Sequence, residues 1–165
     1  MPHDLAGTAA QAWRMEYTLQ ASTVVPAEPA EVFDLITDID RLPDWNLEIP
    51  EIVTAPAVLD VGSEWVVRIH AMKTHWNSRA HAVEVDRDEG RFAYRSQSDD
   101  GNPSYADWRW RLTPAPSGGT LVAVEVDIRP RTFLRKWVIS RIRKSGLQKA
   151  INESLLALRE QATVG

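Results

Sequence analysis

From Trp13 to Arg129 the chain alternates apolar and polar residues in one segment after another, and at Pro130 the alternation stops. A period of two means strands with one buried face. In Trp13–Val25, the residues Trp13, Met15, Tyr17, Leu19 and Ala21 oppose Arg14, Glu16, Thr18 and Gln20. Strands are also predicted at Glu51–Val58, Ser63–Met72 (Trp65, Val67, Ile69 and Ala71 together), Thr74–Asp86 and Arg91–Ser98 (Phe92, Tyr94, Ser96). Tyr105–Pro114 sets Ala106, Trp108, Trp110 and Leu112 against Asp107, Arg109, Arg111 and Thr113, and Thr120–Arg129 turns Val122, Val124, Val126 and Ile128 inward. Turn residues separate them: Gly62, Asp88-Glu89-Gly90, Asp99 to Pro103, and Ser117-Gly118-Gly119. A meander of hairpins of this kind predicts an antiparallel sheet with one wet and one covered face.

The cover is helical. From about Thr132 to Ala162, Leu147, Ile151, Leu155 and Leu158 form an i, i+4 stripe, while Phe133, Trp137, Val138 and Ile142 repeat in another phase. Ser145-Gly146 lies where the phase changes, which predicts a kink or a close approach. After the first strand, Pro29 opens a helix with Val32, Phe33, Leu35 and Ile36 as its apolar stripe. Asp40 is placed to cap a second short helix, Arg41 to Trp45.

At 165 residues the chain fits one domain, 13–163, behind a loose leader, 1–12. It has no cysteine, which excludes disulfides, thiolate metal sites and a Cys nucleophile. No apolar run spans a membrane and the N-terminus has no signal-peptide pattern, so a cytoplasmic location is expected. The net charge of -4 is unevenly spread, because Ile128–Asn152 lacks Asp and Glu but holds Arg129, Arg131, Arg135, Lys136, Arg141, Arg143, Lys144 and Lys149. Seven tryptophans are costly to expose and point to a core, a pocket or an interface.

Two passages carry a family resemblance. Ala30-Glu-Val-Phe-Asp-Leu-Ile-Thr-Asp38 with Leu42-Pro-Asp-Trp45 resembles the helix pair of the START-like (SRPBCC) superfamily, which includes the polyketide cyclase/dehydrase and lipid-transport proteins. Trp110-Arg-Leu-Thr-Pro114 followed by Gly118-Gly-Thr-Leu-Val122 resembles its last hairpin, and the likeness runs over roughly residues 14 to 162. It implies an α+β helix-grip fold: a curved antiparallel sheet of about seven strands around a long C-terminal helix, with two short helices after the first strand. It also implies an internal cavity.

Trp65, Tyr94, Trp108 and Trp110, with Val67, Ile69, Val124 and Val126, are the expected apolar wall, and Gly146 is expected to shape it from the helix. The alternative is that these rings simply fill the core. On Thr74–Asp86, the residues His75, Asn77, Arg79 and His81 share parity with Val83 and Val85 and are expected to face inward, unless the strand twists past the sheet edge. Arg79 has the donor fork to hold a carboxylate or ketone. His81, His75 or Tyr94 would pass a proton. His75 and His81 are about 20 Å apart along a strand and cannot share an ion, and His70 has the other parity, so no metal is expected. There is no phosphate loop or cofactor motif, and no cofactor is expected.

Three functions follow. The first is binding of a small hydrophobic or aromatic molecule between sheet and helix. The second, implied by the resemblance, is a polyketide aromatase/cyclase-like enzyme for aldol closure and dehydration, with Arg79, His81 and Tyr94 as catalytic candidates. The third is a lipid carrier using Arg135, Lys136, Arg141, Arg143 and Lys144 against an anionic membrane, although a solvated helix face is the favoured reading of those charges. The exposed aromatics that would stack bases are not interleaved with these charges, so nucleic acid is not expected as a partner. Ligand identity and oligomeric state stay open.

Overall fold

The computed structural model describes residues 16–132 and 140–164, apart from the side chains of 140–142 and 164. The strands are β1 (Tyr17–Val25), β2 (Glu51–Thr54), β3 (Glu64–Ala71), β4 (Thr74–Asp86), β5 (Arg91–Ser98), β6 (Tyr105–Pro114) and β7 (Thr120–Arg129). The helices are α1 (Pro29–Thr37), α2 (Leu42–Trp45) and α3 (Ser140–Val164), with a 3-10 turn, Ile39–Arg41, before α2. All pairings are antiparallel, in the order β1-β7-β6-β5-β4-β3-β2. This is the helix-grip fold.

Alternation in the sequence becomes the two faces of the sheet. Val122, Val124 and Val126 on β7 are buried, as are Trp110 and Leu112 on β6 and Leu19 on β1. The helix α3 lies over this face through Leu147, Ile151, Leu155 and Leu158, all buried. The outer face is a lattice of ion pairs. Arg95 grips Asp107 through two bonds of 2.7 and 3.0 Å. Arg109 reaches Glu125 and Asp127, and Arg129 reaches Glu16 and Asp127. Exposed pairs of this kind each add little stability. Ion pairs answer much of the basic stretch: Arg131 pairs with Glu16, Arg143 with Glu48 and Lys149 with Glu153, while Lys144 sits over the Tyr17 ring. No helix of the described residues is long and apolar enough to cross a membrane.

Several expectations are corrected. The second strand stops at Thr54 rather than Val58. Ile39–Arg41 is a 3-10 turn, and Asp40 makes no side-chain cap. The largest correction is on β4. Ala82 opposes Tyr94 while Glu84 opposes Ala93, so Val83 is an extra, bulged residue. A bulge of one residue inverts the parity of everything on its far side. Val83 is 56% exposed, and the inward set upstream is Ser78, Ala80 and Ala82. The residues Asn77, Arg79 and His81 therefore stand on the outer face. The leader and Phe133, Trp137 and Val138 lie outside the described residues, as do the side chains of Arg141 and Ile142.

Two glycines have opposite local meaning. Gly119 turns the β6–β7 hairpin at φ +77°, and a Cβ there would sit 2.4 Å from the Val25 carbonyl oxygen. Gly146 is exposed inside an unbroken α3, and a Cβ there would meet nothing within 4 Å, so the expected close approach is absent. Glycine in a helix interior costs about 1 kcal/mol against alanine. Gly146→Ala is thus expected to raise Tm by about 2–4 °C, and Gly119→Ala to lower it. Thermal melts followed by circular dichroism test both. A lower Tm for Gly146→Ala would contradict this account of the helix.

Candidate functional site

Strand register assembles the site. On β5 and β6, Phe92 opposes Trp110, Tyr94 opposes Trp108 and Ser96 opposes Ala106. Directly opposed residues share a face at contact distance. Tyr94 and Trp108 stack at 5.7 Å with planes 12° apart. Trp65, brought in on β3, meets Tyr94 edge-on at 5.3 Å and Phe92 at 6.1 Å. Trp45, the last residue of α2, stands perpendicular to Trp110 at 5.7 Å and closes one end. These rings wall a cavity of about 400 Å³ between the sheet and α3.

Few polar groups interrupt the wall. The Trp108 indole N–H donates to the Ser96 hydroxyl at 3.0 Å, and the Ser78 hydroxyl donates to the Gln97 carbonyl at 3.2 Å. Desolvation by the wall pushes the Tyr94 hydroxyl well above the usual tyrosine value, with the polar edge of Trp110 offsetting part of the rise. Burial also raises Tyr17, against the opposing pull of the Arg143 charge. The residues Asn46–Ile49, after α2, border the cavity and are held on two sides. Glu48 forms a two-pronged ion pair with Arg143 of α3, and the Leu47 amide donates to the Ser154 hydroxyl at 3.2 Å. The Glu48 carbonyl accepts from the His70 amide at 2.8 Å. The Arg143 guanidinium lies 5.9 Å from the Trp76 ring.

Of the residues singled out from the sequence, Trp65, Val67, Ile69, Tyr94, Trp108 and Trp110 line the cavity. Val124 is buried in the core behind the wall, and Gly146 is exposed on α3; neither lines it. Arg79 is outside, bonded to Asp99 at 3.0 Å and within 3.7 Å of Glu64. His81 opposes Glu64 in the β3–β4 register, away from the cavity. Asn77 opposes Arg68 and is likewise not part of the wall. Exposed His75 stands at the rim, opposite His70 rather than at the other parity. Among the described residues no group of three or more His, Asp or Glu side chains converges to hold a metal.

The sequence reading did not find Tyr17, Glu48, Trp76 and Arg143, and it took Trp45 as a closing residue only. Trp76 has inward parity once the bulge is counted. Tyr105, expected on the surface, stands at the rim with the Arg95 guanidinium 3.9 Å from its ring centre.

A family model described as polyketide cyclase / dehydrase and lipid transport matches residues 16–163. No curated protein matches the sequence. Solved structures agree in fold at low identity. The protein TTHA0849 of Thermus thermophilus is 17% identical at a TM-score of 0.70, with 90% of this chain and 98% of that one covered. The Zhui aromatase/cyclase of Streptomyces sp. R1128 is 14% identical at 0.69, with 90% and 94% covered. A START superfamily protein of Mycobacterium smegmatis is 14% identical at 0.67, with 87% and 97% covered. With the model matched over nearly all of the described chain, and a helix-grip sheet over an aromatic cavity, the chain belongs to the polyketide cyclase/dehydrase and lipid-transport family.

Proposed function

We propose that this protein binds a small, flat, largely apolar molecule in the cavity between the sheet and α3. The observation that carries this reading is the cavity itself, about 400 Å³ with an aromatic wall. Ligand sites run from roughly 300 to 1,000 Å³. A cavity of this size opening to the surface takes up water or a ligand, and a wall of Trp, Tyr and Phe rings favours a flat apolar body over a cluster of waters.

The cyclase reading, which the Zhui aromatase/cyclase likeness keeps in view, is the second choice. Aldol chemistry needs a group that takes a proton near neutral pH. Of the three candidates Arg79, His81 and Tyr94, only Tyr94 faces the cavity. Its hydroxyl is held neutral, so it serves as a hydrogen-bond donor rather than a base.

Titration with the neutral fluorophore 1-N-phenylnaphthylamine is expected to show one site per chain with enhanced emission. Ala80 is 3% exposed and lines the cavity. Ala80→Phe, or Ala106→Leu as a milder filling, should abolish binding in a protein that still melts cooperatively. Arg79→Ala should bind as the wild type does. Undiminished binding by a folded, cavity-filled variant would sink the proposal.

A raised tyrosine pKa also has a signature in stability. Below the unfolded value of about 10 the phenol is neutral in both states. Above it, the unfolded chain loses a proton that folded Tyr94 retains, so stability falls as pH rises from about 10 toward the higher folded value. Urea unfolding at pH 8 to 11 should show Tyr94→Phe losing less stability with alkalinity than the wild type. Equal slopes would show that Tyr94 is not desolvated.

A further inference from the structure

Five buried side-chain polar atoms lack a hydrogen-bond partner among the described residues: Tyr17 Oη, Trp45 Nε1, Arg68 Nε, Asn77 Oδ1 and Trp110 Nε1. Three of the five, on Tyr17, Trp45 and Trp110, belong to side chains of the cavity wall, and since the Trp110 N–H is turned toward the Tyr94 hydroxyl, Tyr17 and Trp45 are the wall donors left without a partner. Buried tryptophan N–H and tyrosine O–H groups ordinarily find partners, and an orphan in a native structure marks a missing water or ligand. The indole nitrogens can only donate, and a neutral phenol donates readily. Their missing partner is an acceptor.

Register places these donors at different levels of the sheet. Tyr17 opposes Ile128 and Trp110 opposes Val124, both on β7. Four residues along one strand are roughly 13 Å of backbone. Trp45 packs against Trp110, so its N–H stands at that end and Tyr17 holds the other. Charge narrows the choice further. Among the described residues, Glu48 and Arg143 are the Asp, Glu, Lys or Arg side chains of the wall, and they pair with each other. An anionic ligand would therefore lose its hydration without finding an unpaired cation.

We propose that the ligand is a neutral, flat molecule carrying an acceptor oxygen, such as a ketone or quinone carbonyl, at each end. One oxygen accepts from the Trp45 N–H, and the other from the Tyr17 hydroxyl. This rests on the cavity being the binding site, and it names Tyr17 and Trp45 as the residues that choose among flat ligands. Both oxygens are satisfied without any charged group, and the aromatic wall holds the body between them.

Three molecules of nearly one shape separate the possibilities: 2,6-diacetylnaphthalene, 2,6-diethylnaphthalene and naphthalene-2,6-dicarboxylate, each used to displace 1-N-phenylnaphthylamine. The diketone is expected to displace it at about one-tenth the concentration the hydrocarbon requires, from two hydrogen bonds that would otherwise stay unmade. The dicarboxylate should be the weakest. Tyr17→Phe, which removes one oxygen atom, should weaken the diketone roughly fivefold and leave the hydrocarbon unchanged. Trp45→Phe should act in the same direction at the other end. Equal affinity of diketone and hydrocarbon, or an unchanged ratio in Tyr17→Phe, overturns this inference while the cavity remains a binding site. If the fluorophore and all three naphthalenes fail to bind, the binding reading itself has failed and this inference falls with it.

Discussion

One helix, about 10–12 Å across, lies over a sheet of seven strands whose six spacings of about 4.8 Å add up to roughly 29 Å. That mismatch organises the molecule. The helix α3 packs toward β1 and meets α1 and α2. It covers only part of the apolar face, so large side chains and the short helices must deal with the rest. The Trp45 ring of α2 closes one end against Trp110. Between them, rings from β3, β5 and β6 meet in stacked and edge-on contacts and leave a space they do not fill. The cavity follows from covering a wide sheet with a narrow helix.

Polar chemistry is sorted by the same sheet. Arginines and carboxylates on the outer face are paired in water, where their pairing costs and yields little. Inside, among the described residues, charge is confined to Glu48 and Arg143, which join the segment after α2 to the start of the described part of α3. What remains in the wall is neutral: hydroxyls and indole N–H groups, several of them donors. A pocket built this way discriminates by shape and by the placing of acceptors, with little use for ligand charge. The basic stretch that suggested a membrane surface is, in its described part, mostly engaged with carboxylates of its own chain.

Strands β3 and β5–β7 were legible in the sequence nearly to the residue, because each buries one face and keeps a strict period of two. The cavity-facing set on them, Trp65, Val67, Ile69, Tyr94, Trp108 and Trp110, follows from the same period. Strand β4 was legible in extent but not in orientation. Val83 and Val85 look like an inward pair, and nothing local marks Val83 as a bulge. Its identity as the extra residue exists only in the pairing with β5, where Ala82 meets Tyr94 and Glu84 meets Ala93. Arg79 and His81 were assigned to the interior by that single missed residue. Gly146 was misread for a related reason, since a phase change in helical pattern says nothing about what lies beside the helix.

By itself the sequence determined the order and type of the elements, the likeness to the START-like superfamily and most of the aromatic wall. These depend on local period and on short motifs, which are properties of neighbours along the chain. Only the tertiary structure decided which way β4 faces, that Tyr17, Trp76, Glu48 and Arg143 border the cavity, and that the wall donors of Tyr17 and Trp45 lack partners. Those facts arise between residues far apart in sequence, such as Glu48 and Arg143 or Tyr17 and Ile128. A strand's register and a donor's missing partner are relations across space, and alternation along one strand carries no record of them.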